Sequence, residues 1–197
     1  MTERASDIID ELAGIAAGSP LDAVRARRPQ ARANAERSYR ELFEPQAAEG
    51  LPLRERLAVA AFVATLHRAA PTACHYTDLL AAKTGDSALA AAVAAAAASD
   101  AHGPYGRYPS SALRSEDRDG PLWQADAQLA AALGPRLAAA LAHAHMLVFH
   151  PRDASPEALE ALLAAGLSAT EVVTLSQIVA FLAFQIRVIE GLRLLAA

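Results

Sequence analysis

The amino-acid sequence predicts an all-α protein, on three observations. Apolar residues recur at helical spacing through most of the 197 residues, and no stretch alternates apolar and polar residues as a strand would. Hydrophobic residues make up 53% of the chain, but aromatic residues make up only 5%. Much of the remainder is alanine, and small side chains gain contact area when helices pack closely. The length suits one compact folded unit.

Composition and charge limit the partners that we expect. The formal net charge is −4, and no lysine and arginine cluster with interleaved aromatic residues is present, so nucleic acid is not expected. Residues 1–10 contain no basic stretch followed by an apolar run, so we expect no secretory signal and a cytoplasmic protein. The absence of a glycine-rich phosphate loop and of a nucleophilic-serine elbow disfavours nucleotide-dependent enzymes and serine hydrolases.

The first 50 residues predict an N-terminal helical arm. Ser6 to Ala17 is expected to form a short helix, and Pro20 to Phe43 one or two more, with a break near Pro29. The main helical domain then covers residues 51–197 and forms one compact unit with the arm.

The main domain is expected to open with a strongly periodic helix from about Leu53 to Ala70. Two apolar stripes run along this helix, so we expect burial on more than one side. Pro71 cannot continue it without losing a backbone hydrogen bond, but suits the first position of a second helix that carries Thr72 to Lys83.

Four further helical segments follow. Asp86 is a suitable N-cap for an alanine-rich helix from Ser87 to Ser99. Residues 100–121 are rich in glycine, proline and charge, which predicts either a functional loop or a solvated linker. Helical periodicity returns over residues 122–149 with a break at Gly134, and a short helix is expected over Glu157 to Ala165.

The last helix opens at the capping box Ser168 to Glu171 and contains the most hydrophobic segment, Val172 to Leu195. Polar residues interrupt this segment short of the ~20 apolar residues of a membrane span, so no membrane is expected. We expect it to be buried on several sides, partly in a homo-oligomer. An offset of 116 residues pairs Glu55 with Glu171, which fits either duplication of a helical hairpin or chance similarity of two amphipathic helices.

Cys74 is the single cysteine, and it is expected in the first turn of a helix. The positive end of the helix dipole would stabilise a thiolate there, but free cysteine is also among the most buried residue types, so packing among alanines is the alternative. His75 points about 100° away around the helix and need not touch Cys74. Glu55 could accept a proton near either residue, or could be an ordinary first-turn acid that favours the helix dipole.

Three histidines lie within eight residues in the segment "AHAHMLVFH". His143 and His145 face opposite sides of a helix and cannot share a metal ion, and no carboxylate or cysteine stands at ligand spacing from His143 and His150. No metal site is therefore expected. We expect these imidazoles to form hydrogen bonds across a buried helix interface or to relay protons.

Three stretches resemble the carboxymuconolactone decarboxylase and AhpD-like superfamily, in particular its long peroxidase-related members. They are "LPLRERLAVAAFVATLHRAAPTACHYTDLL", "LAHAHMLVFHPRDA" and "GLSATEVVTLSQIVAFLAFQIRVIEGLRLL". With "GPYGRYP" and "SEDRDGPLW" they cover most of the chain after Leu51. The most specific similarity lies in the last helix, in Glu171, Gln177, Phe184, Gln185 and Arg187. The resemblance implies an AhpD-like helical domain, and no cofactor is expected.

The resemblance also bears on the chemistry. Members that reduce peroxides use a glutamate, a Cys-x-x-Cys pair and a histidine. Glu55 matches the glutamate and His75 the histidine, but the cysteine positions fall near His67 to Pro71, where no cysteine occurs. A lone thiol oxidised to sulfenic acid needs a second thiol from elsewhere. The resemblance therefore implies acid/base chemistry on a lactone or related small molecule instead of the usual peroxide-reducing cycle.

The leading hypothesis is an enzyme that acts on a small molecule with Glu55 and His75 as proton-transfer groups and Cys74 beside them. One alternative is an antioxidant hydroperoxide reductase that uses Cys74 with an external thiol, and another is a non-catalytic oligomeric binding protein. The side chains expected to shape the substrate pocket are His67, Tyr76, Tyr105, His143 and His145.

Overall fold

The computed structural model describes residues 7–45, 50–98 and 101–196, which form ten α-helices, two 3₁₀ helices and no β-strand. The predicted all-α class is confirmed. Ser6, Ser99 and Asp100, where predicted segments begin or end, lie outside the described residues. The helices are α1 (Ile8–Ala13), α2 (Pro20–Ala26), α3 (Pro29–Phe43), α4 (Leu53–Leu66), α5 (Ala70–Thr84), α6 (Ser87–Ala96), α7 (Ala127–Leu133), α8 (Pro135–Phe149), α9 (Pro156–Ala164) and α10 (Ala169–Ala196).

Helix α4 lies at the centre of the fold. Every residue from Arg56 to Ala64 is buried, and the helix packs against α3, α5, α6, α8 and α10. Four of these buried residues are alanines, which let neighbouring helices approach closely and fill the interior without gaps. The expected burial on more than one side is confirmed.

Helices α4, α8 and α10 run in the same direction. Their first turns meet at one end, where Arg136 of α8 bonds to Glu55 of α4 and Glu171 of α10. At the other end, the last residues of α4 and α8 meet the middle of α10. Helix α5 runs antiparallel to α4. Arg54, in the first turn of α4, lies 3.9 Å from Asp86, which follows the end of α5.

The turn between α4 and α5 differs from the prediction. Helix α4 ends at Leu66 instead of Ala70 because Arg68 adopts a left-handed backbone conformation, with φ of 57°. Helix α5 then begins at Ala70 instead of Pro71, so Cys74 is the fifth residue of the helix. Helix α10 continues without a turn at Ala183, the residue that the 116-residue offset pairs with His67. The offset therefore relates single helices, and α10 starts no second hairpin.

The segment between α6 and α7 is packed against the C-terminal end of α8. The Tyr105 N–H donates to the Phe149 carbonyl at 2.6 Å. The His150 ring lies between an Asp153 carboxylate oxygen at 2.9 Å and the Pro121 carbonyl at 3.0 Å. Gly120 faces the Tyr105 ring so closely that an added Cβ would lie 2.2 Å from it. These contacts show that the segment is packed on the helices and is not a solvated linker.

Helix α10 is long and apolar enough to span a membrane by length and composition. Half of its most apolar 18-residue window is buried inside the fold. Helices α7 and α8 pass the same test only as a pair, and they are bent by 114° at the break that Gly134 forms.

The N-terminal helices are fastened to one another by a buried ionic cluster. Arg25 contacts Asp7 and Asp10 at 2.8 Å, and Arg32 contacts Asp7 at 2.5 Å, Asp22 at 2.9 Å and Asp10. Burial alone would raise the pKa of Asp7, but the Asp10 N–H and the two guanidinium groups outweigh burial and lower it. Since α1 and α3 also pack on α10, the cluster sets how the arm covers that helix.

We expect Arg32→Met to lower the free energy of unfolding by about 3 kcal/mol, because it leaves Asp7 and Asp10 buried with one guanidinium between them. The matched control is Arg28→Met, since Arg28 is exposed at the start of α3. Urea denaturation followed by circular dichroism measures both. Equal stability of the two variants would contradict the role of the cluster.

Candidate functional site

The predicted catalytic glutamate, Glu55, is bound to an arginine. Arg136 Nε lies 3.3 Å from Glu55 Oε1, and Arg136 Nη2 lies 3.2 Å from Glu55 Oε2. The same Nη2 donates to Glu171 Oε1 at 2.7 Å, and Arg136 also donates to the Gly166 carbonyl. Both oxygens of Glu55 thus accept hydrogen bonds from Arg136.

The predicted capping box of α10 forms, and its Glu171 is the residue that Arg136 contacts. The Ser168 N–H donates to Glu171 at 2.7 Å, and the Glu171 N–H donates to Ser168 Oγ at 3.3 Å. The hydrogen bond from Arg136 lowers the pKa of Glu171, and the hydrogen bonds with Ser168 lower it further. Arg136, Glu55 and Glu171, here called the Arg136 clamp, join the first turns of three helices.

The second predicted catalytic residue, His75, bonds to the N-terminal arm. Its Nε2 lies 3.2 Å from the hydroxyl of Tyr39 on α3. Burial lowers the pKa of His75, partly opposed by Glu11 and Asp78. Burial and nearby glutamates raise the pKa of Tyr39 to about 12, so its hydroxyl stays protonated.

Cys74 is exposed, so the alternative that it packs among alanines is wrong. It also lies beyond the first turn of α5, where the free N–H groups that stabilise an anion end. The first-turn position on which its predicted reactivity depended is therefore wrong as well.

The structure does not bring Glu55, Cys74 and His75 together. Glu55 lies in the first turn of α4, near the C-terminal end of α5, whereas Cys74 and His75 lie in the N-terminal half of α5. Within the described residues, the polar contacts of Glu55 are with Arg136 and that of His75 is with Tyr39.

Four of the five predicted pocket residues, Tyr76, Tyr105, His143 and His145, are buried, and the rings of Tyr105 and His145 both lie against Phe149. Tyr76 is fully buried and donates to Gln185 Oε1 at 2.8 Å. Burial lowers the pKa of His143, and burial with the nearby His150 lowers the pKa of His145 to about 4. Both imidazoles are therefore neutral near pH 7, and neither forms a hydrogen bond within the parts of the chain that the structure describes. Tyr105 lies in the packed segment over α8.

The remaining predicted pocket residue, His67, lies in the wall of a cavity of about 470 Å³. This cavity, here called the His67 cavity, forms where the last residues of α4 and α8 meet the middle of α10. Leu147 lies 11 residues after Arg136 on α8, and Leu66 lies 11 residues after Glu55 on α4. At about 1.5 Å per residue the cavity lies roughly 16 Å from the Arg136 clamp.

The His67 cavity is lined by both charged and apolar residues. Among the described residues, its charged and titratable lining residues are Arg68, Arg187, His67 and His102. Arg187 donates to the Ala183 carbonyl at 2.7 Å, and Arg68 Nη1 lies 3.3 Å from His102 Nε2. Its apolar lining residues include Leu66, Leu147, Val148, Phe149 and Val179.

The His67 imidazole has no hydrogen-bond partner within the described residues, and its Nε2 is buried. Burial, with a smaller effect from Arg187, lowers the pKa of His67. The ring is therefore neutral near pH 7 and has one N–H donor and one nitrogen acceptor to offer. Thr72 Oγ1 and Gln185 Nε2 are also buried, and neither atom has a hydrogen-bond partner among the described residues.

Sequence reasoning placed His67 in the substrate pocket but missed Arg68, His102 and Arg187 as its neighbours. Two signals were present: a positive charge within the apolar last helix, and a histidine within the glycine-rich segment of residues 100–121. Neither signal shows which residues meet, because that depends on the packing of α4 against α8 and α10.

A second cavity, of about 450 Å³, lies between α3 and α10. Phe181 and Phe184 line it, with Arg56, which donates to the carbonyls of Leu51, Glu41 and Leu42. It contains no imidazole. Across residues 7–45, 50–98 and 101–196, no three histidine, cysteine, aspartate or glutamate side chains are placed to hold a metal ion.

A comparison with protein-family models finds no match for this chain, and neither does a comparison with curated proteins. The similarity to the carboxymuconolactone decarboxylase and AhpD-like superfamily therefore stays a prediction from the sequence.

We expect Arg136→Met to lower the free energy of unfolding by about 1–2 kcal/mol at about pH 7, since Arg136 is nearly a third exposed and holds two carboxylates. Arg193→Met, at an exposed position of α10, is the matched control. The pKa of Glu171 is below its ordinary 4.5 in the folded state, so this stabilisation is present above pH 4.5 and is lost as the pH falls through the folded value.

The measurement is urea denaturation of both variants at about pH 7 and about pH 3. The difference between Arg136→Met and the wild type should shrink at the lower pH. A difference that stays constant with pH, or that Arg193→Met reproduces, would show that the clamp does not hold the three helices.

Proposed function

We propose that this protein is an enzyme that acts on a small molecule by general acid/base catalysis in the His67 cavity. The observation that carries the proposal is a neutral imidazole in the wall of a cavity large enough for a small molecule, with no hydrogen-bond partner among the described residues. The resemblance implies Glu55 and His75 instead, but Arg136 binds both oxygens of Glu55 and Tyr39 binds Nε2 of His75.

The chemistry follows from the charges around His67. A neutral imidazole can accept a proton from a C–H or O–H group of a bound substrate and return it at another position. When the proton leaves, the ring becomes imidazolium and the electron pair stays on the substrate. The Arg187 guanidinium would stabilise the negative charge that develops there.

The Cys74 alternative has less support. A peroxide-reducing thiol needs a group that activates it, and no acid or base forms a hydrogen bond to Cys74 among the residues that the structure describes. The exposed side chains of Val173, Phe184, Leu194 and Leu195 on α10 support the further proposal that the protein forms a homo-oligomer.

Hydrogen–deuterium exchange tests the proposed catalysis without knowledge of the natural reaction. We expect the protein to accelerate exchange of the acidic C–H protons of at least one compound in a panel of β-keto acids, α-keto acids and γ-lactones in D₂O. Proton NMR measures the rate. His67→Gln should reduce it by about 100-fold or more, because a positioned base contributes about that factor.

His75→Gln and Glu55→Gln separate this proposal from the site that the resemblance implies, because both should retain exchange. Circular dichroism melting checks that each variant is folded. Absence of exchange across the panel, or equal rates in wild type and His67→Gln, would contradict the proposal and favour a binding protein.

A further inference from the structure

We infer that a buried water molecule binds between α5 and α10, where it joins Thr72 Oγ1 to Gln185 Nε2 and to the hydroxyl of Tyr76. This water site is separate from the proposed catalysis, and its three residues form a polar connection between the two helices.

Two fully buried polar side chains need partners at this place. Thr72 and Gln185 are closed to solvent, and neither Thr72 Oγ1 nor Gln185 Nε2 has a hydrogen-bond partner among the described residues. A buried hydroxyl or amide without a hydrogen bond is costly, and the large majority of such groups in folded proteins are paired. Where no protein group is within reach, an internal water supplies the bond.

The contacts between α5 and α10 bring the two atoms to the same level. The Tyr76 hydroxyl donates to Gln185 Oε1 at 2.8 Å. Thr72 and Tyr76 are both fully buried and lie four residues apart on α5, so they share one face of the helix. Helical side chains lean towards the N-terminus, which directs the Tyr76 hydroxyl over the turn that contains Thr72. The Gln185 amide that this hydroxyl holds therefore lies beside Thr72.

The two side chains do not bond to each other directly, since each of the two atoms lacks a partner. A reversed Gln185 amide would not change this, because a hydroxyl bonds to an amide nitrogen or an amide oxygen alike. The connection needs an intermediate group that can both donate and accept, which a water molecule does.

One water satisfies all three residues with about the number of hydrogen bonds that a buried water makes. It accepts from Gln185 Nε2 and donates to Thr72 Oγ1 and to the Tyr76 oxygen. Burial raises the pKa of the Tyr76 hydroxyl well above its ordinary value, so the hydroxyl keeps its proton and its bond to Gln185. Its oxygen remains able to accept.

The water site lies close in the chain to both walls of the His67 cavity. Thr72 follows His67 by five residues, and Gln185 follows Ala183, another lining residue of the cavity, by two. The bridge therefore fastens the start of α5, directly after the turn that carries His67, to the middle of α10.

A crystal structure of the full chain, at a resolution that shows ordered water, tests the site directly. We expect one water molecule within hydrogen-bond distance of both Thr72 Oγ1 and Gln185 Nε2. A structure without a water at this place, or with a direct bond between the two side chains, would overturn the inference.

Thr72→Val gives a second test, because it removes the hydroxyl and nearly keeps the shape of the side chain. If water bridges the hydroxyl, the melting temperature Tm should fall by about 2–4 °C, since the water and Gln185 lose a partner. If the hydroxyl has no partner, its removal should raise Tm, since a buried polar group without a bond is costly.

Thr77→Val, at a partly exposed position of α5, is the matched control and should leave Tm nearly unchanged. Circular dichroism melting measures both variants. A Tm of Thr72→Val that equals or exceeds that of the wild type would contradict the inference. Neither test involves turnover, so failure of the proposed catalysis would leave the water site standing, and the reverse also holds.

Discussion

The ion pairs of Arg136 with Glu55 and Glu171 determine how the three central helices stand relative to one another. An arginine can hold two carboxylates because its planar guanidinium offers several donors in fixed directions. Here the two carboxylates belong to the first turns of α4 and α10, and the arginine to that of α8. With their starts held together, helices of matched length end together, and their far ends with the middle of α10 form the His67 cavity.

The Arg136 clamp therefore lies at one end of the three helices and the His67 cavity at the other. Glu55, which sequence reasoning assigned to catalysis, is bound in the clamp, about 16 Å from the cavity at 1.5 Å of helix rise per residue. At the other end, His67 is held neutral by burial and by Arg187, and no protein group among the described residues satisfies its hydrogen bonds. Unsatisfied buried polar atoms have a cost in a folded protein, which is why this imidazole points to a ligand.

Features that depend only on residues adjacent in the chain could be predicted from the sequence. The break at Pro29, the Asp86 cap and the α10 capping box follow local rules of backbone geometry and hydrogen bonding. The exposure of Cys74 and the reversal at Arg68 could not be predicted, because the first depends on which face of α5 is covered and the second on a rare backbone conformation. The position of the His67 cavity depends on the packing of α4, α8 and α10, which no local sequence pattern specifies.

The most direct test of the account is a pH titration of the six imidazoles by long-range ¹H–¹⁵N NMR, in the wild type and in Arg187→Gln. The account predicts that His67 titrates below its ordinary pKa of 6.5, since burial and Arg187 disfavour the imidazolium. It also predicts that Arg187→Gln raises the pKa of His67, because the substitution removes a nearby positive charge, and leaves that of His143 unchanged. A His67 pKa at or above 6.5, or one that Arg187→Gln does not change, would contradict the account.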